Sequence, residues 1–388
     1  MPPHDPIAAV THPDPYPYYA DLAARTPLYR DETRGLWVAA SAAAVTDALS
    51  SACCQVRPPT EPVPMALLGS PAGDIFRRLA RMNDGPGHGS LKRAIGASLG
   101  GLDATRVAAE SSAWAQRLAD EIDLDDPSHV SEFAFRLPVY VVASLLGVPR
   151  ENLRQTMVWV SDFVRCLAPA ASPDDLGRGG LAASGLLDSV RSLLGTPPSG
   201  RADGLLATLM REATRVGRDD TDVMVANSIG LLFQAYEATA GLIGNTLVAL
   251  AARPTVRARV AADPGLLRDV MLEVLRYDPP VQNTRRFLAR DGVVAGQEMK
   301  AGDGVLVVLA AANRDAAANP FPARFDIHRS DRRIFTFGHG VHACPGETLA
   351  LMIARAGIAR VLTSGVDLAR LATVGAYRES VNTRIPLM

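Results

Sequence analysis

The stretch Phe337-Gly338-His339-Gly340-Val341-His342-Ala343-Cys344-Pro345-Gly346 decides how the rest of the chain is read. Gly338, Gly340 and Gly346 permit tight turns and close backbone approach to a flat ligand. Pro345 removes a donor and stiffens the exit. Downstream, Leu349, Ile353, Ala356 and Arg360 fall near one face of a helix predicted over 347–362. Cys344 therefore sits just before a helix N-terminus, where exposed amides and the helix dipole favour an anion. The expectation is a thiolate rather than a thiol. Without such a setting, a buried cysteine is an inert small apolar residue.

The spacing Phe-x-x-Gly-x-His-x-Cys-x-Gly, near the C-terminus, resembles the haem-binding loop of the cytochrome P450 superfamily in its common bacterial form. The resemblance runs from Asp14 to the C-terminus. It implies a mainly α fold with small β-sheets, an α+β haem-binding catalytic domain over residues 1–388. It also implies haem b as cofactor, with Cys344 thiolate as the iron's axial ligand and Phe337, Gly338, His342 and Gly346 around it. Thiolate donation favours O–O cleavage.

Composition agrees with one catalytic body. A length of 388 residues suggests two or three domains as a prior, but no linker divides the chain. The net charge of −1 does not indicate a nucleic-acid footprint. Only Lys92 and Lys300 are lysines, which reads as compositional bias. Cys53, Cys54, Cys166 and Cys344 show neither zinc spacing nor a disulfide framework, which fits a reducing cytoplasm. The N-terminus has no signal-peptide pattern. The nearest thing to a membrane span, 230–252, carries Gln234, Glu237 and Asn245 and reads as a buried core helix instead.

Taken in order, residues 14–24 read as a short helix, 28–40 as a hairpin around Gly35, and 41–50 as an Ala-rich helix. The proline-rich 55–72 is irregular, which in a compact domain points to function; the resemblance implies that it covers the substrate pocket. Asn83 to His88 is a turn leading into a helix over 89–99. Further helices are predicted over 111–122, 132–146, 151–167 and 181–194. Residues 169–180 are read as a mobile loop, which the resemblance makes a lid. Asp220-Thr221-Asp222 caps the longest helix, 223–252, about 45 Å at about 1.5 Å per residue. Asp263-Pro264 opens a helix to Tyr277, 281–309 is strand-rich, and 368–388 is a returning β segment.

Glu273 and Arg276 share a helix face, which alone indicates only a weak surface pair. With Arg324 in Pro322-Ala323-Arg324-Phe325, they resemble the family's buried charge cluster bracing the haem side. Haem propionates need cations or donors, and His88, Lys92, Arg286 and His342 match the positions that supply them. Lys92 stands where arginine is usual, Arg93 competes with it, and Arg285 competes with Arg286.

The long helix departs from the family pattern. Gln234-Ala235-Tyr236-Glu237-Ala238-Thr239 aligns with an oxygen-activation segment that usually reads Ala-Gly-x-Glu-Thr-Thr. Glu237 matches the acid, but Ala238 stands in place of the relay threonine. Thr239 lies about 100° further round the helix and cannot simply replace it. Gln234 either turns aside into a helix contact or reaches an otherwise apolar distal pocket. Phe233, Gln234, Glu237, Val281, Asn283, Thr284 and Val381 are the candidate pocket residues.

The resemblance thus implies a monooxygenase that oxidises a small natural-product intermediate, with electrons from a ferredoxin-type partner docking near the Cys344 loop. The alternative on the same scaffold is non-hydroxylating chemistry: coupling, cyclisation, nitration or peroxide use. A haem-based gas sensor or electron carrier is the reading from a different class.

Overall fold

A computed structural model describes residues 2–195, 204–372 and 375–388. The chain opens with α1 (Tyr16–Arg25), started by Pro17 in its first turn, and the hairpin of β1 (Leu28–Asp31) and β2 (Leu36–Ala39). Gly35 at φ +64° makes that turn, a conformation costly for other residues. Ser41 caps α2 (Ala42–Ser50) by accepting from Ala44 N at 3.2 Å. Strand β3 (Cys54–Gln55) follows, and then the proline-rich segment, irregular as expected up to α3 (Pro71–Arg78).

The helical body comprises α4 (Gly85–Gly100), α5 (Ala104–Glu121), α6 (Pro127–Leu146), α7 (Leu153–Cys166), α8 (Pro173–Gly195), α9 (Leu205–Arg215) and α10 (Thr221–Ala251). Asp103, Asp126 and Asp220 cap α5, α6 and α10 through their side chains. Helix α10 passes through the core, buried along most of its length. Among the described residues, α6 is the one helix long and apolar enough to cross a membrane, and most of it is buried inside the protein.

After α11 (Pro254–Ala262) and α12 (Leu267–Tyr277) come β4 (Thr284–Leu288), β5 (Gly292–Val294), β6 (Gln297–Met299) and β7 (Gly304–Val307). Then follow α13 (Leu309–Asn313), α14 (Glu347–Thr363), β8 (Ala376–Tyr377) and β9 (Pro386–Leu387). The main sheet has the order β1-β2-β7-β4-β3. Its β2–β7 contact is parallel, with Trp37 opposite Val305. The two ends of the chain also meet directly. Arg384 donates to the carbonyls of Val10, His12 and Pro13 and to Asp278.

Three expectations are corrected. Residues 173–180 are helical rather than a loop: Ser172 and Asp175 bond each other's amides at the start of α8. Two glycines of α8, Gly179 and Gly185, serve packing. A Cβ on Gly179 would lie 2.2 Å from Cys166 Cβ, and one on Gly185 would lie 2.5 Å from Trp159. Helices α7 and α8 can therefore approach closely. Helix α4 begins at Gly85, inside the stretch read as a turn, because Pro86 suits a first helical turn.

The third correction concerns the charge cluster. Glu273 and Arg276 are fully buried and paired at 2.6 Å. The Arg324 guanidinium is 72% exposed and faces Asp326 at 3.7 Å, and only its backbone carbonyl accepts from Arg276, at 3.0 Å. The second cation on Glu273 is Arg332, at 2.9 Å. Arg324 follows Pro322 and Ala323 out to the surface, whereas Arg332 returns from the loop onto α12. We expect Arg276→Met to cost about 3–5 kcal/mol, because it removes the guanidinium that makes two bonds to a fully buried carboxylate. Arg324→Ala should stay within about 0.5 kcal/mol. Chemical denaturation of both variants measures the difference.

Candidate active site

The cysteine loop folds on itself before α14. Gly338 N donates to Phe335 O and Cys344 N to Phe337 O, both at 2.7 Å. Gly338 and Gly340 take φ of +74° and +66°, and a Cβ on Gly340 would lie 3.2 Å from Leu49 O. The loop leaves the Cys344 side chain accessible. Gly346 N donates to its sulfur at 3.3 Å.

Opposing influences act on the Cys344 thiol in the metal-free protein. Desolvation by the surrounding protein pushes the thiol pKa up, and this outweighs the Gly346 amide and the charges of Lys92 and Arg81, which pull it down. A helix N-terminus is worth at most about 2 kcal/mol to an anion. Bonding to a metal deprotonates a thiol outright.

Around the loop the basic residues converge. His88 is buried, with Nδ1 2.8 Å from Ala80 O and Nε2 3.2 Å from Val341 O. Lys92 Nζ donates to Val341 O at 2.6 Å and also to Ala343 O. The His342 ring lies 4.1 Å from that of His88, and its Nε2 is 2.9 Å from Asp84 Oδ1. Burial lowers the His342 pKa, so Asp84 faces a neutral ring near neutral pH. On β4, Arg285 points outward and Arg286 inward. Arg93 bonds Ser90 at the surface.

Arg81, which nothing in the sequence singled out among Arg77, Arg78 and Arg81, also belongs here. It lies in the short turn Ala80–Met82 before α4, and its charge acts on both Cys344 and Arg286. Among the described residues, Arg81, Lys92 and Arg286 have no carboxylate within 4.0 Å. Clustered cations without counter-ions are costly. A thiol, an amide aimed at its sulfur and three uncompensated cations fit a metal-centred group bearing two carboxylates, as haem does.

On α10, Gln234 and Ala238 lie four residues apart on one accessible face. The Gln234 amide bonds back to Gly230 O at 2.7 Å, which is the turned-aside reading. Thr239 is buried, and its hydroxyl has no partner among the described residues. Phe233 is buried against Phe163, with ring centroids 5.2 Å apart. Asn283 Nδ2 donates to Val381 O at 2.9 Å, and Val281 bridges to Thr383. These contacts bring the C-terminal segment to the strand side of the site, beside Thr284 at the start of β4.

Glu237 Oε1 lies 3.6 Å from Arg378 Nη2. Burial raises its carboxyl pKa above 4.5, partly offset by Arg378 and Thr383. A raised native pKa means that the folded state holds a proton the unfolded state has released. Its contribution to stability therefore falls as pH rises from about 4.5 through the native pKa. Glu237→Gln does not titrate. The variant should match the native protein most closely in acid and gain on it towards neutral pH, in paired denaturation curves.

The comparisons with known proteins agree with this site. A family model described as cytochrome P450 matches residues 265–364, the span from α12 through the cysteine loop to α14. The chain is 31% identical over 400 residues to a vitamin D(3) 25-hydroxylase of Pseudonocardia autotrophica, covering 98% of this chain and 94% of that protein. It is 29% identical to the 20-oxo-5-O-mycaminosyltylactone 23-monooxygenase of Streptomyces fradiae, covering 92% of this chain and 84% of that protein. The crystal structure of CalO2 superposes with a TM-score of 0.78 at 26% identity, covering 96% of this chain and 94% of that one. Mainly helical with small sheets, and carrying an accessible cysteine in its glycine-rich loop, the chain belongs to the cytochrome P450 family of haem-iron monooxygenases.

Proposed function

We propose that this protein is a haem-thiolate monooxygenase acting on a mid-sized natural-product intermediate, with haem b held by Cys344. The single observation that carries the reading is the accessible Cys344 sulfur, which takes the Gly346 amide at 3.3 Å among uncompensated cations. Lys92, Arg286 and Arg81 would hold the propionates, with the His88 and His342 rings beside them. Bound there, haem supplies dioxygen activation; thiolate ligation favours O–O cleavage. The chain's own part is to position the sulfur, exclude water from it and deliver protons through Glu237. The substrate class is supported by the likeness to the Streptomyces fradiae 23-monooxygenase. Electrons would come from a ferredoxin-type donor docking beside the cysteine loop. Four free cysteines among the described residues fit a cytoplasmic location. Residues 1–388 form one catalytic domain in this reading.

The second reading, a coupling, cyclising, nitrating or peroxide-using enzyme, is favoured by Ala238 and by the Gln234 amide being tied to Gly230 O. Ala238 then offers no donor to the distal face, and Gln234 has one N–H left of its two. Labelled dioxygen separates the two readings: a hydroxylated product carries the label and a coupled product does not.

In the reconstituted protein, Cys344→Ser should abolish the thiolate-type Soret band of the carbon monoxide complex; retention of that band would remove the assignment. Ala238→Thr should lower the share of reducing equivalents lost as hydrogen peroxide, measured against NAD(P)H consumed.

A further inference from the structure

Phe321 is held outward under strain. Its side chain is 81% exposed, more than any other large apolar side chain among the described residues. Its φ is +52°, and Ala295 is the other non-glycine residue with a positive φ among those described. For a bulky residue that is a genuine outlier, and a residue followed by proline is normally extended. A lone exposed apolar side chain needs no account. A strained one persists only where its surroundings fix it.

Here guanidinia beneath the loop fix it. Arg329 donates to Pro320 O at 2.7 Å and to Phe321 O at 3.3 Å. Arg276 and Arg314 donate to Pro322 O at 2.9 and 3.3 Å, and Arg276 to Arg324 O at 3.0 Å. Arg276 and Arg314 are buried, and the Arg329 side chain is 10% exposed. Beside the ring lies an open cavity of about 400 Å³, lined by Phe321, Pro322, Ala323 and Arg324. The loop is also tied to the sulfur side. Asn319 Nδ2 donates to Asn313 O at 3.1 Å, and Asn313 Oδ1 accepts from Phe335 N at 2.7 Å. Phe335 O in turn accepts from Gly338 N, the start of the cysteine loop. Phe321 therefore stands at a fixed place relative to Cys344.

The surrounding surface is basic. Arg324 and Arg333 are exposed, Arg253 lies over the Phe325 ring at 4.1 Å, and Arg259 meets His328 at 2.6 Å. These four outnumber Asp326 and Asp331, the two carboxylates of residues 319–333. We propose that Phe321 is the apolar anchor, and Arg324 the adjoining charge, of the docking surface for an acidic iron–sulfur electron donor. This role rests on the monooxygenase reading. Aromatic and arginine side chains dominate interface hot spots. An excess of guanidinium fits an acidic partner. The patch is one loop wide, which suits an electron-transfer encounter burying less than about 1,200 Å² rather than a stable dimer. Rigid presentation lowers the ordering cost of binding. In the complex one electron at a time leaves the donor's cluster, which is oxidised, and reduces the haem iron; Phe321 itself undergoes no redox change.

Phe321→Gly suits the positive φ and removes the ring. In the holoenzyme it should unfold at the same or a higher temperature than the native protein. Its Kd for a plant-type two-iron ferredoxin should nevertheless rise roughly tenfold, the effect of losing one interface anchor. Phe321→Tyr, which keeps a ring, should bind like the native protein. Arg324→Ala should slow association and flatten its dependence on salt. Reduction by dithionite, which needs no docking, should be the same in all. An unchanged Kd in Phe321→Gly overturns the proposal, as does a loss of thermal stability in that variant. So does a native holoenzyme that does not bind this ferredoxin, or one that sediments as a dimer which Phe321→Gly splits. A native holoenzyme without the thiolate-type band would instead sink the monooxygenase reading.

Discussion

The interaction on which the site depends is the Glu273 carboxylate. It is fully buried and accepts from Arg276 Nε at 3.1 Å and Nη2 at 2.6 Å, from Arg332 Nε at 2.9 Å and from Asp326 N at 2.9 Å. Desolvating these charges is expensive, so the cluster is poor evidence of added stability. What it supplies is position. Arg276 also holds the carbonyls of Pro322 and Arg324, so one helix face fixes the whole return loop. From there Asn313 binds Thr336 and receives the Phe335 amide, two residues before the cysteine loop begins.

The distal side is built differently. Along α10, small residues let other segments press close. A Cβ on Gly241 would lie 2.7 Å from Pro280, and one on Gly244 would lie 2.9 Å from Pro386. The C-terminal strands can therefore lie against the helix that carries Glu237. The two faces divide the work: buried charge makes the sulfur side rigid, and close backbone approach brings polar groups to the acid from a distant part of the chain.

Much of the proximal side was legible because it is local in sequence. A glycine-rich loop, one cysteine and a helix start lie within a dozen residues, and their backbone needs are written in residue types. The i, i+3 pair of Glu273 and Arg276 was legible for the same reason. Arg332 was not, because its partner lies across a loop whose return direction no residue type encodes; Arg324, nearer in sequence, looked equivalent. The start of α8 shows the same limit: the cap formed by Ser172 and Asp175 went unread in a stretch read as a loop. Arg81 and Arg378 became visible once α4 and the C-terminal segment were placed against the loop and α10. The direction of the Cys344 shift in the metal-free protein was not legible, because dipole and desolvation oppose each other and only the second depends on the tertiary surroundings.

The parallel pairing of Trp37 with Val305 and the grip of Arg384 on Val10, His12 and Pro13 have a consequence for biosynthesis. Strand β2 pairs with β1 as soon as the hairpin is made, but its other edge has no partner until β7, far along the chain, has left the ribosome. The leading hairpin must wait, tethered and half-solvated, while the helical body consolidates behind it. Such non-local closure is slow and exposes unpaired edges meanwhile. Arg384 acts as a clasp: a ribosome that stalled just short of it would leave the first segment undocked.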